Sequence, residues 1–338
     1  MILVFLSGCQ ISPRRTVGGA TPTPTPTGGV GQLYVATSTG IFRYSQALSA
    51  SGDVAPAATI TSSQLPSPTY ILSDPNTDRL FVTNNNNASI VVLNNASTAS
   101  GSVQPVAILS GTATALSAPV DMALDSGNNL LYVADGTAIL VFSNETGLAG
   151  SVNTPPVRTF ITGLIISSIF LDTSSDTLYV ADSRDNEILA FGQASQQVLT
   201  GAATAQITGN NTSLASPRGL ALDGSGRLVV SNGGGAGLPA AGITIYPSPT
   251  TAGGNILPAT IIAGGSTGFA APIQIAMTNS INGGQLFVAD PSAHSVVIYT
   301  NVSTLGGNVS SAPTASISGS NTGLSSATIT GLALDPTR

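Results

Sequence analysis

Leu178-Tyr-Val-Ala-Asp182 is the stretch that decides the fold, because close copies of it recur along the chain. Each copy begins with Leu, continues through apolar and β-branched residues, and ends in Asp, Asn or Thr. The leading residues are Leu33, Leu80, Leu131, Leu178, Leu228 and Leu286. They lie 47, 51, 47, 50 and 58 residues apart, a period that suits four short strands with their turns. The repeat therefore predicts the blades of a β-propeller.

Three further apolar runs accompany each copy in a fixed order. For the copy at Leu178 they are residues 188–191, 205–207 and 219–223. These runs are short, rich in β-branched residues and bounded by turn residues, as strands are. No segment keeps a 3.6-residue apolar period, so we expect almost no helix.

The two ends of the repeat predict how the ring closes. The first unit has no inner strand of its own before Leu33, whereas the last unit supplies one at residues 331–335. Joining the two removes exposed sheet edges. We therefore predict an all-β, six-bladed β-propeller of four-stranded antiparallel blades, closed by the C-terminal strand joining the N-terminal blade. A truncated seven-bladed parent also fits, less economically.

The propeller is expected to span residues 31–338, behind two other segments. Residues 1–8 form an apolar, signal-like segment, and Leu6-Ser-Gly-Cys9 resembles the bacterial lipobox, which implies lipidation at Cys9. The alternative is a free cysteine in a floppy N-terminus. Residues 9–30 are rich in Pro, Thr and Gly, a composition typical of an extended tether. We therefore expect an outer-membrane or surface lipoprotein of the bacterial cell envelope, facing the periplasm or the exterior.

Composition excludes several classes of protein. Only 7% of the residues are charged, the net charge is −6, and there is no lysine. Phosphate backbones attract clusters of Lys and Arg, so nucleic acid is not an expected partner. A single cysteine allows no intramolecular disulfide, and no later apolar run reaches membrane-spanning length. The lipid is therefore the only expected membrane contact, and a monomer is expected.

The repeat also resembles known families. Ser216-Pro-Arg-Gly-Leu-Ala-Leu-Asp223 and Leu178-Tyr-Val-Ala-Asp182 are similar to NHL-type repeats, and the Tyr-Val stretches resemble the YVTN group of bacterial surface propellers. The similarity covers nearly all of residues 31–338. It implies the propeller fold but says little about activity, because these families contain both binding modules and enzymes.

The candidate ligand site lies where the inner strands begin, at one mouth of the channel. The six residues predicted there differ from blade to blade, as a binding site requires and as unconstrained loop positions also allow. They are Tyr70, Asp121, Ser168, Arg218, Gln274 and Thr330. Charge is scarce in this chain, so Arg218 and Asp121 are the sharpest candidates.

Aspartate recurs at two repeat positions, which raises the question of a metal. The inner strands end in Asp74, Asp125, Asp172, Asp223 and Asp335. A carboxylate at a strand end commonly accepts turn N–H groups, and one residue repeated in nearly every blade is not a converging ligand set. We therefore predict turn caps, no metal site and no cofactor. His294 is the only histidine, so a multi-histidine zinc site is excluded.

Two functions remain open. The first is a binding scaffold that recognises protein, peptide or glycan through its channel-mouth loops. The alternative is a metal-dependent lactonase or hydrolase of the six-bladed sugar-lactonase type, whose resemblance implies Ca²⁺ held by Glu, Asn and Asp. Only Asp121 is acidic among the predicted mouth residues, and Ca²⁺ takes six to eight oxygen ligands. The sequence therefore favours a scaffold over an enzyme.

Overall fold

The computed structural model describes residues 31–196, 202–235, 240–247, 253–278 and 283–338. Cys9 and the segments 1–8 and 9–30 lie outside these residues. Within the described residues the chain is all-β, and its only helices are single 3₁₀ turns. These turns are η1 (Ala47–Ser49), η2 (Asn85–Asn87), η3 (Thr112–Thr114), η4 (Glu145–Gly147), η5 (Val302–Thr304), η6 (Ser320–Thr322) and η7 (Leu324–Ser326). No helix of the described chain has the length and apolarity needed to cross a membrane.

The strands follow one another along the chain as the repeat predicts. The first half contains β1 (Gln32–Thr37), β2 (Gly40–Ser45), β3 (Ala58–Thr61), β4 (Tyr70–Asp74), β5 (Arg79–Asn84), β6 (Ser89–Asn94), β7 (Gly101–Ser102), β8 (Ala107–Leu109), β9 (Pro119–Asp125), β10 (Leu130–Asp135), β11 (Ala138–Ser143), β12 (Gly150–Val152), β13 (Arg158–Ile161) and β14 (Ile166–Asp172). The second half contains β15 (Thr177–Asp182), β16 (Glu187–Gly192), β17 (Ala205–Ile207), β18 (Pro217–Leu222), β19 (Leu228–Asn232), β20 (Gly242–Tyr246), β21 (Thr260–Ala263), β22 (Ile275–Thr278), β23 (Gln285–Asp290), β24 (Ser295–Tyr299), β25 (Gly307–Val309), β26 (Ala315–Ile317) and β27 (Ile329–Asp335).

These strands form six separate antiparallel sheets, the blades, in which strands a to d run from the channel to the rim. From inner to outer strand, the blades are β27-β1-β2-β3, β4-β5-β6-β8, β9-β10-β11-β13, β14-β15-β16-β17, β18-β19-β20-β21 and β22-β23-β24-β26, numbered 1 to 6. Blade 1 combines both ends of the ring, because Leu33 pairs with Leu334 and Gln32 with Asp335. The predicted six blades and their closure are therefore confirmed.

Three blades differ from the prediction by carrying a fifth strand. A short segment of the next blade's c–d connection pairs in parallel with strand d, as β7, β12 and β25 do. Gly52 and Gly254 make single parallel bridges of the same kind to Ile317 and Ile207. Strand d would otherwise leave its backbone groups unpaired at the rim, and the added strand covers them.

The core lies between the blades. Six apolar clusters are present, and each fills one gap between neighbouring blades. In β1, Leu33 and Val35 pack towards blade 6, whereas Tyr34 and Ala36 pack towards blade 2. Side chains alternate across a strand, so a strand buried on both faces needs the unbroken apolar run seen in the repeat. Each such Leu or Val side chain stabilises the fold by about 2 kcal/mol.

The recurrent aspartates act as turn caps, as predicted. Each carboxylate at the end of an inner strand accepts a backbone N–H from the turn that follows. The pairs are Asp74 with Asn76, Asp125 with Asn128, Asp172 with Ser174, Asp223 with Ser225 and Asp335 with Thr337. These a–b turns and the c–d connections form the end of the ring that we call the lower face. The b–c hairpins and the d–a loops form the upper face.

Candidate functional site

The six predicted mouth residues fall into two sets, according to their register against strand b. Tyr70, Asp121, Ser168 and Gln274 occupy one register, opposite the same position of strand b. In blades 5 and 1 that register holds Gly219 and Gly331. Arg218 and Thr330 are bulge residues one position earlier, without a partner across the ladder. The structure therefore brings together four of the six.

The bulge residues point away from this group, since a bulge re-aims the side chain beside it. The Thr330 hydroxyl donates to the carbonyl oxygen of Pro68 at 2.7 Å, in the d–a loop entering blade 2. Arg218 is exposed on the upper face beside Gly233. Its role as a ligand contact stays a prediction.

Tyr70, Asp121, Ser168 and Gln274 form a layer across the channel that we call the polar belt. The Asp121 carboxylate accepts N–H bonds from Met122 at 2.5 Å and Ile169 at 2.8 Å. Ser168 and Tyr70 lie close enough to Asp121 to lower the pKa of its carboxyl. Asp121 is fully buried and links the inner strands of blades 3 and 4.

Gln274 closes the other half of the layer. Its Nε2 donates to the Ile71 carbonyl oxygen at 3.0 Å, and its Oε1 accepts the Leu332 N–H at 2.7 Å. One side chain thereby joins blades 6, 1 and 2. It reaches this far because Gly331 leaves room, and a Cβ at Gly331 would lie 2.8 Å from Gln274 Oε1. The glycine at this register is thus part of the belt.

Burial sets the electrostatics of the belt. It raises the pKa of Asp121 to about 7, against the opposing effect of its hydrogen bonds. Burial also raises the pKa of the Tyr70 hydroxyl well above its usual value, which keeps the phenol neutral. Each Asp121 oxygen accepts a backbone N–H bond, so this carboxylate already serves as a structural acceptor. The lactonase alternative gains no support from this arrangement.

A chamber of about 370 Å³, lined by both polar and apolar groups, lies on the axis below the polar belt. Tyr70 and Gln274 bound its inner end, and Pro75, Asn76 and Ser126 lie at the opposite end, in lower-face turns. All six inner strands line its wall. Their contributions centre on Leu72, Ala123, Phe170, Ala221, Ala276 and Ala333. The repeat pattern gives no sign of this chamber, because the residues that differ between blades lie at the strand beginnings, where the belt stands.

The d–a loops of the upper face are pinned from below by the polar residues that end strand b. Asp135 accepts N–H bonds from Ser117 and Ala118, at 2.9 and 2.5 Å. In three more blades the side-chain oxygen likewise accepts a loop N–H, through Asp182 from Ile165, Asn232 from Ala215 and Asp290 from Ala270. In blade 2 the direction is reversed, because Asn84 Nδ2 donates to the carbonyl oxygen of Gln64. These loops are therefore held in place by hydrogen bonds to buried side chains at the ends of strand b.

The described residues contain one cluster of three carboxylates whose oxygen atoms lie close enough together to share a cation, within 4.8 Å of one another. Its members are Asp182, Asp185 and Glu187. Asp182 already accepts the backbone N–H groups of Arg184 and Asp185, at 2.8 and 3.2 Å. The Arg184 guanidinium lies 3.2 Å from Asp185. Glu187 accepts a hydrogen bond from the Gln206 side chain on β17, so each of the three carboxylates already has a partner in the protein.

Glu145 is the most unusual carboxylate of the lower face. Its side chain is fully buried, and neither oxygen has a hydrogen-bond partner. Burial, followed by repulsion from Asp74, raises its pKa to about 7, and Arg79 opposes the shift. Nothing in the sequence repeat distinguishes this position.

The fold defines the chain as a six-bladed β-propeller, and comparison with solved structures agrees. The chain is similar to one from the crystal structure of a nidogen/laminin complex, with a TM-score of 0.60 and 15% sequence identity over 90% of this chain and 98% of that one. At this identity the likeness shows the fold alone. No protein-family model matches the chain, and no curated protein matches it, so the NHL and YVTN resemblances are not confirmed.

Proposed function

We propose that this protein is an extracytoplasmic, lipid-anchored scaffold that binds a protein, peptide or glycan partner with its upper face. The observation that carries the proposal is the pinning of the d–a loops by Asn84, Asp135, Asp182, Asn232 and Asp290. Loops held by a rigid scaffold lose little conformational entropy on binding, which favours affinity.

The chemistry of the upper face favours an uncharged polar partner surface. Its side chains are mostly hydroxyl, amide and small apolar groups, and its exposed charges are few, with Arg184, Asp185 and Arg218 among them. Ser, Gly and Asn give adaptable hydrogen bonding in binding loops. The structural neighbour comes from a nidogen/laminin complex, which is consistent with a protein partner for this fold.

Attachment to the bacterial envelope is the second part of the proposal. It is supported by Leu6-Ser-Gly-Cys9 and by the Pro/Thr alternation from Thr21 to Thr27, which together suit a lipid anchor and a spacer. We expect Cys9→Ser, expressed behind a complete secretion signal, to move the protein from the membrane to the soluble fraction. A fatty-acid label should be lost in the same variant. Thr21→Ser is the matched control, and unchanged fractionation of Cys9→Ser would refute the anchor.

The binding face is tested by photo-crosslinking in intact cells of a host that carries the partner. A crosslinking residue replaces Ile165, which is 46% exposed in an upper-face loop. The matched control replaces Leu257, which is 72% exposed in a c–d connection. We expect a discrete heavier species from position 165 alone. Equal crosslinking from both positions, or none from position 165, would contradict an upper-face site.

A further inference from the structure

Glu145 occupies a position that two other blades fill with a small apolar side chain. It is the first residue of η4 and follows Asn144, whose backbone is left-handed. Ala96 and Ala194 likewise follow left-handed residues at the start of the c–d connections of blades 2 and 4. All three side chains are buried. An ionisable group in blade 3 therefore stands where blades 2 and 4 have a methyl group.

A shared hydrogen bond fixes this correspondence between blades. In blade 2 the backbone N–H of Ser97 donates to the side chain of Asp78, in the a–b turn, at 2.9 Å. In blade 3 the backbone N–H of Thr146 donates to the side chain of Asn129, in the equivalent turn, at 3.0 Å. The two connections therefore begin alike, and only the buried side chain before this bond differs in kind.

No described residue donates a hydrogen bond to the Glu145 carboxylate. The charged groups that face it are Asp74 at the end of β4, Arg79 at the start of β5 and Asp125 at the end of β9. The Arg79 guanidinium is occupied by the main chain, since its Nη1 donates to the carbonyl oxygens of Glu145 and Thr146 at 3.3 and 2.8 Å. Burial and two neighbouring carboxylates therefore oppose ionisation of Glu145.

Glu145 also begins the connection that covers the rim of blade 2. The chain runs from η4 into β12, which pairs in parallel with β8. The Gly150 N–H donates to the Val106 carbonyl oxygen at 2.8 Å, and the Ser110 N–H donates to the Val152 carbonyl oxygen at 2.9 Å. β12 has three residues, of which two are exposed. Since little buried surface holds β12 in place, this segment can open without unfolding the blade.

We infer that Glu145 is a pH-sensitive switch for the rim of blade 2. While its carboxyl group is protonated, residues 145–152 stay closed over β8, and when it ionises they open and leave the outer edge of β8 unpaired. An isolated buried carboxylate is far more costly than one in water, so opening is the route by which the charge reaches solvent. Burial and Asp74 raise the pKa of Glu145 from 4.5 to about 7 in the closed form. The closed form is therefore favoured in mild acid and loses that advantage as the pH rises through about 7.

Amide hydrogen exchange of the full chain at pH 5 and pH 8 tests this switch, with rates corrected for the intrinsic effect of pH on exchange. The protection factors of the Gly150 and Ser110 amides should fall at least about tenfold between the two pH values. The matched control amide is Gly307 in β25, which covers blade 5 in the same way and donates to the Ala259 carbonyl oxygen at 2.9 Å. Its protection should fall by a much smaller factor.

Variants assign the effect to Glu145. Glu145→Gln removes the charge and should abolish the extra loss of protection at Gly150. Glu145→Ala installs the residue that blades 2 and 4 carry, and it decides the matter if Glu145→Gln does not fold. Glu187→Gln, at a glutamate that already has a hydrogen-bond partner, should behave as the parent does. The inference is overturned if Gly150 and Gly307 lose protection equally in the parent, or if the Glu145 variants keep the parent's pH dependence.

Discussion

The inner and outer edges of the blades both leave backbone groups unpaired, but different parts of the protein cover them. Every sheet ends in a strand with unpaired backbone groups, at the channel on one side and at the rim on the other. At the rim, the next blade adds a parallel strand, as β7 does for blade 1. At the channel, six strands converge on an axis and cannot pair, so side chains such as Asp121 and Gln274 bridge them.

This difference predicts where the loss of a polar side chain destabilises the fold. Asp121 is buried, and water cannot replace it if it is lost. Asn153 has a comparable task at the rim, where its Oδ1 accepts the Ala113 N–H at 2.9 Å, but that contact is exposed. An unsatisfied polar group is costly only where solvent is absent.

Asp121→Ala is expected to have the largest effect. It leaves the N–H groups of Met122 and Ile169 without their acceptor. At about 1 kcal/mol or more for each buried group, the free energy of unfolding should fall by at least about 2 kcal/mol. Denaturant titration measures this, and Ser151→Ala at the exposed rim is the control. A loss under about 1 kcal/mol would show that the belt does not hold the inner edges together.

Gly331→Ala tests the same edge by crowding. The added methyl group would meet Gln274 Oε1 at 2.8 Å and the Ile71 nitrogen at 3.2 Å, inside a packed layer. Overpacking of this kind costs about 2 kcal/mol. Gly306→Ala is the matched control, because a Cβ there has no neighbour within 4 Å. Equal unfolding free energies for the two variants would mean that Gln274 moves aside without cost.

The pH dependence of stability sharpens the comparison further. Burial raises the folded-state pKa of Asp121 from 3.8 to about 7 and that of Glu145 from 4.5 to about 7, so the folded protein binds more protons than the unfolded chain between about pH 4 and 7. Stability from these groups is therefore present in mild acid and is lost as the pH rises towards 7. Tm should fall by at least about 2 °C between pH 5 and pH 7.

Glu145→Gln provides the check on this pH effect. It keeps the shape of the side chain and removes its titration, so the fall in Tm should become shallower than in the parent. Glu187→Gln, at a half-buried hairpin position of the upper face, should leave the slope as it is. A parent whose Tm rises across this range would refute the assignment.

Asn153→Ala should have the smallest effect. Water can satisfy the exposed Ala113 N–H once the side chain is gone, so we expect a loss of about 0.5 kcal/mol in unfolding free energy. Denaturant titration beside Asp121→Ala compares the two edges directly. A loss as large as that of Asp121→Ala would mean that the outer edge is as dry as the inner one.

The candidate site was only partly predictable from the sequence. The repeat aligned Tyr70, Asp121, Ser168 and Gln274, which share one register in the structure. It aligned Arg218 and Thr330 with them, whereas Gly219 and Gly331 hold that register. Bulges also precede Asp121 and Ser168, so the repeat pattern does not show which residue beside a bulge takes the register. The sequence did contain one indication. Gly-Leu-Ala occurs at residues 219–221 and 331–333, and its glycine occupies the position that the belt residues occupy in the other blades.

The sequence by itself determined six blades, their strand order and the closure of the ring, because strands buried on both faces require apolar runs that repeat at blade length. It also determined the turn caps, since these bonds join residues close in the chain. Only the tertiary structure decided the polar belt, the fifth strands and the chamber. Each depends on contacts between different blades, such as Gln274 with Ile71, and a distance across the channel is not encoded in the spacing within one blade.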